Sequence, residues 1–307
     1  MLGALLGLVS AAGFGANAII ARRGMFRASS NYVATLTIFT GPVFFFIIAA
    51  FTGEIFRLKE YPWETYVLFV VAGISHFALG RSWAYRSIQL IGATRSNIVT
   101  GLNPIVTTLL AMTILKETVT LAMAAGILCT LTGPVLILLK EDVATFNRSS
   151  ALDPDGKERD HSMLYKGFLY GAGAAIFWGS SAIFIKLGLE NSGSPVVGSL
   201  IAYLSASIAI SPSSFLKRKN REEILHGDRA SLKLALYSGL TTNIAQLLRY
   251  LALGSGSAIV VSLMLRTVPL WVLIFAFIFI RKEESFSGWV LLGNALLVAG
   301  TLLILLS

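Results

Sequence analysis

This chain is poor in charge. Only 13% of its 307 residues are Asp, Glu, Lys or Arg, against 55% hydrophobic. A water-soluble domain of this size carries about 25% charged residues to cover its surface. Cysteine is nearly absent. The single Cys129 lies in an apolar run, which excludes an internal disulfide and any Cys/His metal spacing and leaves it as a small packing residue. No phosphate-binding glycine loop, nucleophile elbow or zinc motif occurs, so nothing points to an ATPase, a hydrolase, a cofactor or a metal. The most informative absence is that of carboxylates. All 16 acidic residues fall in loops or at segment ends, none inside an apolar run. Intramembrane carboxylates mark the relays that bind cation and proton in turn. A cationic solute is therefore disfavoured, unless aromatic faces alone hold it.

What is present is apolar sequence in long runs, with a mean hydropathy of +0.74. Ten segments, at about 2–21, 31–52, 63–82, 93–115, 119–139, 166–186, 196–216, 232–252, 257–280 and 287–306, are long enough to cross a bilayer as helices. Helices satisfy the backbone inside lipid. The expected fold class is an all-α membrane protein of ten transmembrane helices. The first segment lacks a basic stretch before it, and Arg22 and Arg23 follow it, so it reads as a span rather than a secretory signal. The net charge of +9 comes from short basic clusters between apolar runs, the pattern of cytoplasmic loops rather than of a nucleic-acid surface. A charged stretch containing Asp153, Pro154, Asp155 and Gly156 reads as a linker. It divides the chain into 1–140, 141–165 and 166–307, with five segments on either side.

The two sides repeat one another in order. Gly7–Gly24 aligns with Gly171–Gly188: Gly7, Ala11, Gly15, Ala18, Ile19 and Gly24 are identical to their partners, and Arg22 faces Lys186. A Gly3/Gly7 pair matches Gly167/Gly171, as expected for close helix packing. Pro104 matches Pro269, Tyr85 matches Tyr250, Lys116-Glu117 matches Lys282-Glu283, and Gly126 and Gly133 match Gly293 and Gly300. Five spans per copy is an odd number, so the copies should sit inverted, with a solute site near the midplane between them. The two five-helix repeats, their small-residue first helices, and the proline and later glutamate of each fourth helix resemble the drug/metabolite transporter superfamily, and within it the EamA-type exporters. One departure is that Pro269 to Glu283 is a residue longer than Pro104 to Glu117.

Arg266 is the sharpest candidate for solute binding. It lies near the middle of the ninth segment, three residues before Pro269. A charge at mid-bilayer costs at least about 2.5–3.5 kcal/mol. With no acidic partner in any span, its counter-charge is the solute; the other reading is a side chain that snorkels or bonds to carbonyls freed by Pro269. His76 is the only histidine in a span, either an exchanger of protons near neutral pH or a group hydrogen-bonded between helices. Arg81, Arg86 and Arg95 flank the turn expected between the third and fourth segments, as helix anchors. Arg81 is the innermost and could reach a cavity. Gln246 occupies its repeat position, and Arg249 resembles it in the other half. Asn17, Asn97, Asn103, Ser181 and Asn243 are polar groups at span depth, for lining a cavity or for bonding between helices; Asn17 and Ser181 are repeat equivalents. Trp178, Tyr85, Tyr250 and Trp83 are candidates for aromatic cavity walls or for interface belts. Pro104 and Pro269 are candidate hinges.

These features point to a secondary transporter of a small anionic or zwitterionic organic metabolite, working by alternating access. The family resemblance implies export of amino acids or related metabolites. Proton coupling through His76 and exchange without a titrating group stay open. The alternatives are a translocator of a lipid-linked anionic head group, whose phosphate Arg266 would suit, and a membrane receptor or scaffold that transports nothing. The expected partners are a solute and the bilayer, not nucleic acid; self-association is open.

Orientation follows from Lys and Arg. Nineteen of the 25 lie on one set of alternate loops and helix ends, five on the other, and Arg266 within a span. This bias places the linker at 140–165 in the cytoplasm and both termini outside, in a multi-pass protein of the cell membrane. Members of the resembled superfamily often keep their termini inside, and here the charge count is followed instead. With Cys129 replaced, Ser150→Cys is expected to resist an impermeant thiol reagent in intact cells and to react after lysis. Strong labelling without lysis would overturn the orientation.

Overall fold

The computed structural model describes residues 1–25, 30–141, 161–191, 193–215, 222, 228–279 and 288–305. Most of the expected linker, the Lys282-Glu283 helix end, and the side chains of Arg95 and Asn97 lie outside the described residues. Those described form helices and no strands. The first half contains α1 (Leu2–Met25), α2 (Ser30–Phe51), α3 (Trp63–Gly73), α4 (Arg81–Thr100), α5 (Asn103–Leu110) and α6 (Leu121–Glu141). The second contains α7 (His161–Glu190), α8 (Pro195–Phe215), α9 (Arg229–Ser255), α10 (Ala258–Met264), α11 (Val268–Phe279) and α12 (Gly288–Leu305). Among the described residues, six segments are long and apolar enough to cross a membrane: Leu2–Ala21, Tyr32–Phe51, Trp63–Ile88, Ser162–Glu190, Pro195–Pro212 and Ala258–Ile278. Their outer faces carry exposed Val43, Phe46, Ile176, Ile208 and Ile278, a shell suited to acyl chains rather than water.

The turn expected between about 82 and 93 does not form. Helix continues from Trp63 to Thr100, through a π-helical turn at Ile74–Gly80, and breaks only at Gly101-Leu102. The polar residues from Arg81 to Arg95 suggested a turn, but polarity alone does not end a helix. A terminator needs backbone chemistry, and that comes at Gly101 and at Pro104, whose ring tolerates only the first turn of a helix. The second half breaks differently. α9 ends at Gly256, and Ser257 caps α10 by accepting from the Val260 N–H. The Glu117 carboxylate, from the connection between α5 and α6, accepts from the Ser257 hydroxyl at 2.6 Å and from the N–H groups of Ala258 at 2.7 Å and Ile259 at 3.1 Å. It thereby satisfies donors that α10 leaves unpaired. Lys186 donates to the Gly256 carbonyl from the opposite side, at 3.0 Å.

Helix packing is symmetric under exchange of the halves. α1 packs on α9 and α11; reciprocally, α7 packs on the α3–α4 rod and on α5. α2 packs on α8, and α6 on α12, each pair made of repeat equivalents. Glycines set these approaches. A Cβ on Gly15 would lie 2.6 Å from that of Trp271, and one on Gly179 2.7 Å from that of Val106. A Cβ on Gly7 would meet Met264 at 3.0 Å, and one on Gly171 would meet Val99 at 3.0 Å. Gly3 abuts Gly256, and Gly167 abuts Ile91. In each case the glycines and the residues they face stand at matching repeat positions. The small residues therefore bring the first helix of each half against the third and fourth helices of the other.

Adding a methyl at Gly3 would place it 2.7 Å from the Gly256 Cα, where backbone must move. Gly3→Ala is expected to destabilise the protein by roughly 1–3 kcal/mol through overpacking. Gly254→Ala meets only Leu189 at 3.6 Å and should be neutral or slightly stabilising, since Ala exceeds Gly in helix propensity by up to about 1 kcal/mol. Thermal melts in detergent read both. Equal effects at the two sites would contradict the close helix approach.

Candidate functional site

The break between α4 and α5 meets a second interruption, between α10 and α11. Arg266 occupies a single 3₁₀ turn, Leu265–Thr267, between α10 and α11. Its Nη1 donates to the Gly101 carbonyl at 2.9 Å. Gly101 precedes Arg266 by 165 residues, the separation of Pro104 from Pro269, so Arg266 reaches its own repeat equivalent. The bond therefore joins corresponding points of the two halves. The carbonyl is available because the α4–α5 break leaves it without a partner within its own helix. Neither proline interrupts a helix: Pro104 opens α5 and Pro269 opens α11. They mark where the breaks end, a correction to their reading as interruptions within a helix.

A cavity of about 560 Å³ lies at this meeting point. Its walls include Arg266, Pro269, Thr100, Gly101, Asn103 and Thr107 around the breaks, with Phe14 from α1 and Ser262 from α10. From the other side come His76, Trp178 and Arg249. A second cavity of about 320 Å³ adjoins it across Thr100 and Trp178, which line both, and holds Arg81, Asn17, Tyr85, Thr37 and Ser238. No described carboxylate lines either cavity. Glu117 is engaged at the helix break, and the ion pairs given by Arg57–Glu60 and Lys186–Glu190 lie at segment ends. Among the described residues, no group of three His, Cys, Asp or Glu side chains could hold a metal ion.

His76 sits in the π-helical turn between α3 and α4. Its Nδ1 lies 3.1 Å from the Ser181 hydroxyl and 3.5 Å from Arg249 Nη1, and its Nε2 lies 3.3 Å from Gln246 Nε2. Arg249 donates further to Ser181 at 3.2 Å and to Gln246 Oε1 at 3.4 Å. The indole N–H of Trp178 donates to the His76 carbonyl at 3.0 Å. Gly80 makes room for that ring, since a Cβ there would lie 2.5 Å from it. Every partner of the Arg249 guanidinium in this network is neutral or basic. In the smaller cavity Arg81 donates to the Ala34 carbonyl at 3.3 Å and to Thr37 at 3.4 Å, and lies 5.7 Å from the centre of the Phe77 ring. Asn17 accepts from Ser238 at 2.6 Å.

The structure thus brings Arg266, His76, Asn103 and Trp178 to one cavity and Arg81, Asn17 and Tyr85 to its neighbour. Ser181 and Gln246 are fully buried partners of His76 and Arg249 and line neither cavity. Tyr250 is a correction: it is 1% exposed, packed in the main hydrophobic core 6.3 Å from Phe69. Asn243 is another, buried, bonded to Thr40 at 3.2 Å and lining neither cavity. Arg249, which resembles Arg81 in the other half, is 5% exposed and lines the larger cavity. Its signal in the sequence was a basic residue seven positions inside the break at Gly256.

Residues 1–139 and 165–306 each match the EamA-like transporter family, and the chain belongs to that family. Its members are membrane transporters of small solutes rather than enzymes. A solved structure described only as "Crystal structure of protein" is similar in fold, with a TM-score of 0.75 at 15% identity, covering 99% of this chain and 96% of its own. No curated protein matches the chain.

Proposed function

We propose that the chain is a secondary transporter, working as an exporter of a small anionic or zwitterionic organic metabolite such as an amino acid. In this reading it has ten crossings, arranged as two inverted five-helix repeats joined by a cytoplasmic linker. The observation that carries the proposal is Arg266: a guanidinium bonded to the corresponding point of the other half, on a cavity without a described carboxylate. Its one hydrogen bond to a described partner, the Gly101 carbonyl, leaves most of the five guanidinium donors able to receive a solute carboxylate. The site is built at helix breaks, where backbone polar groups face the cavity instead of their own helix. Access alternates when the halves rock about this centre, α1 moving with α9 and α11, and α7 with α3, α4 and α5. His76 supplies a group for proton coupling, and exchange of one solute for another needs no titration at all.

In liposomes, at matched protein levels and with folding confirmed, Arg266→Gln is expected to abolish transport. Arg266→Lys keeps the charge but loses the planar fork and should retain a remnant, reduced about tenfold or more. Wild-type activity in Arg266→Gln would refute the role.

A further inference from the structure

The larger cavity presents two guanidiniums, not one. We propose that its solute is a dianion, a small dicarboxylate or a phosphate monoester, engaged by Arg249 and Arg266 together. The inference rests on the transporter reading above and narrows its substrate class.

Both arginines line the same cavity. They approach it from either side of the Gly256-Ser257 turn in the chain, Arg249 seven residues before Gly256 and Arg266 nine after Ser257. Each is held by described partners that carry no negative charge: Arg249 by Ser181, Gln246 and His76, and Arg266 by the Gly101 carbonyl. Two like charges facing one low-dielectric space repel each other and favour an occupant that answers both. A zwitterion brings no net charge and leaves the charge of the pair unanswered. A monoanion leaves one guanidinium unanswered. A dianion neutralises the pair, and the planar forks suit carboxylate or phosphate oxygens bidentately. Arg81, in the adjoining cavity, adds a third positive charge on the same route.

The test is competition and counterflow with purified full-length protein in liposomes, with succinate, glycerol 3-phosphate, lactate and alanine as probes. Binding is read separately by thermal shift in detergent. Wild type should exchange succinate or glycerol 3-phosphate at least about tenfold faster than lactate or alanine, and the better of the two identifies which anion chemistry fits. Arg249→Gln removes one charge and should move the preference from dianion toward lactate, while Arg249→Lys keeps the dianion preference at reduced rate. That shift in preference is a readout that mere loss of packing would not produce, and Arg266→Gln with the same probes provides an independent arm. Transport of alanine or lactate in preference to both dianions would overturn the dianion assignment and leave the transporter reading standing. Dianion binding without transport of any probe would support the assignment and defeat the transporter reading. Neither binding nor transport of either dianion would overturn the assignment.

Discussion

Lipid and an apolar protein interior offer a guanidinium no water. A lone charge there costs several kcal/mol unless a counter-charge, a set of carbonyls or a wet cavity answers it. This constraint organises the centre of the molecule. Arg266 can exist where it does because the backbone is broken twice beside it, once at Gly101-Leu102 and once in its own 3₁₀ turn, and one freed carbonyl accepts its N–H. Arg249 can exist because α7 and the π-helical turn of α3–α4 deliver Ser181 and His76 to it. Neither solution neutralises the charge, so the cavity keeps a positive potential, in a space whose low polarity strengthens attraction for an anion.

The breaks meet because the helices approach closely, and the helices approach closely because they are lined with glycine and alanine. Ala11, Ala174 and Ala175 are buried on α1 and α7, and the reciprocal contacts of Gly15 and Gly179 set the distance at the level of the cavity. Lipid supplies no hydrophobic drive between helices, so this contact depends on van der Waals fit and is sensitive to a single methyl group. Glu117 and Lys186 then clamp the Gly256-Ser257 turn, away from the cavities. The chain thus separates its charges by task. Among the described residues, no carboxylate lines the cavities, while Arg81, Arg249 and Arg266 do.

Helical class and the two repeats were legible in the sequence because both rest on patterns that lipid enforces, apolar length and small-residue spacing. Arg266 was legible because a charge stands out in an apolar run. The continuous helix from Trp63 to Thr100 was not, since its middle is polar and a π-helical turn leaves no trace in periodicity. His76 was visible as a candidate, but its four-residue network was not, because Ser181, Gln246 and Arg249 converge from α7 and α9 through tertiary packing. Tyr250 and Tyr85 share a repeat position, yet one is core and the other cavity wall. Equivalence by duplication fixes where a residue sits along its helix, but not what the diverged neighbours leave open beside it.

The proposed binding of an anionic solute by the arginines of the central cavity is open to direct observation. Its most direct measurement is an experimental structure of the full chain in lipid nanodiscs with solute bound. The account predicts solute oxygens within hydrogen-bond distance of Arg266, with Arg249 turned toward the same molecule, in the cavity lined by Trp178 and Pro269. Solute density elsewhere, with both guanidiniums turned away from the cavity, would contradict it.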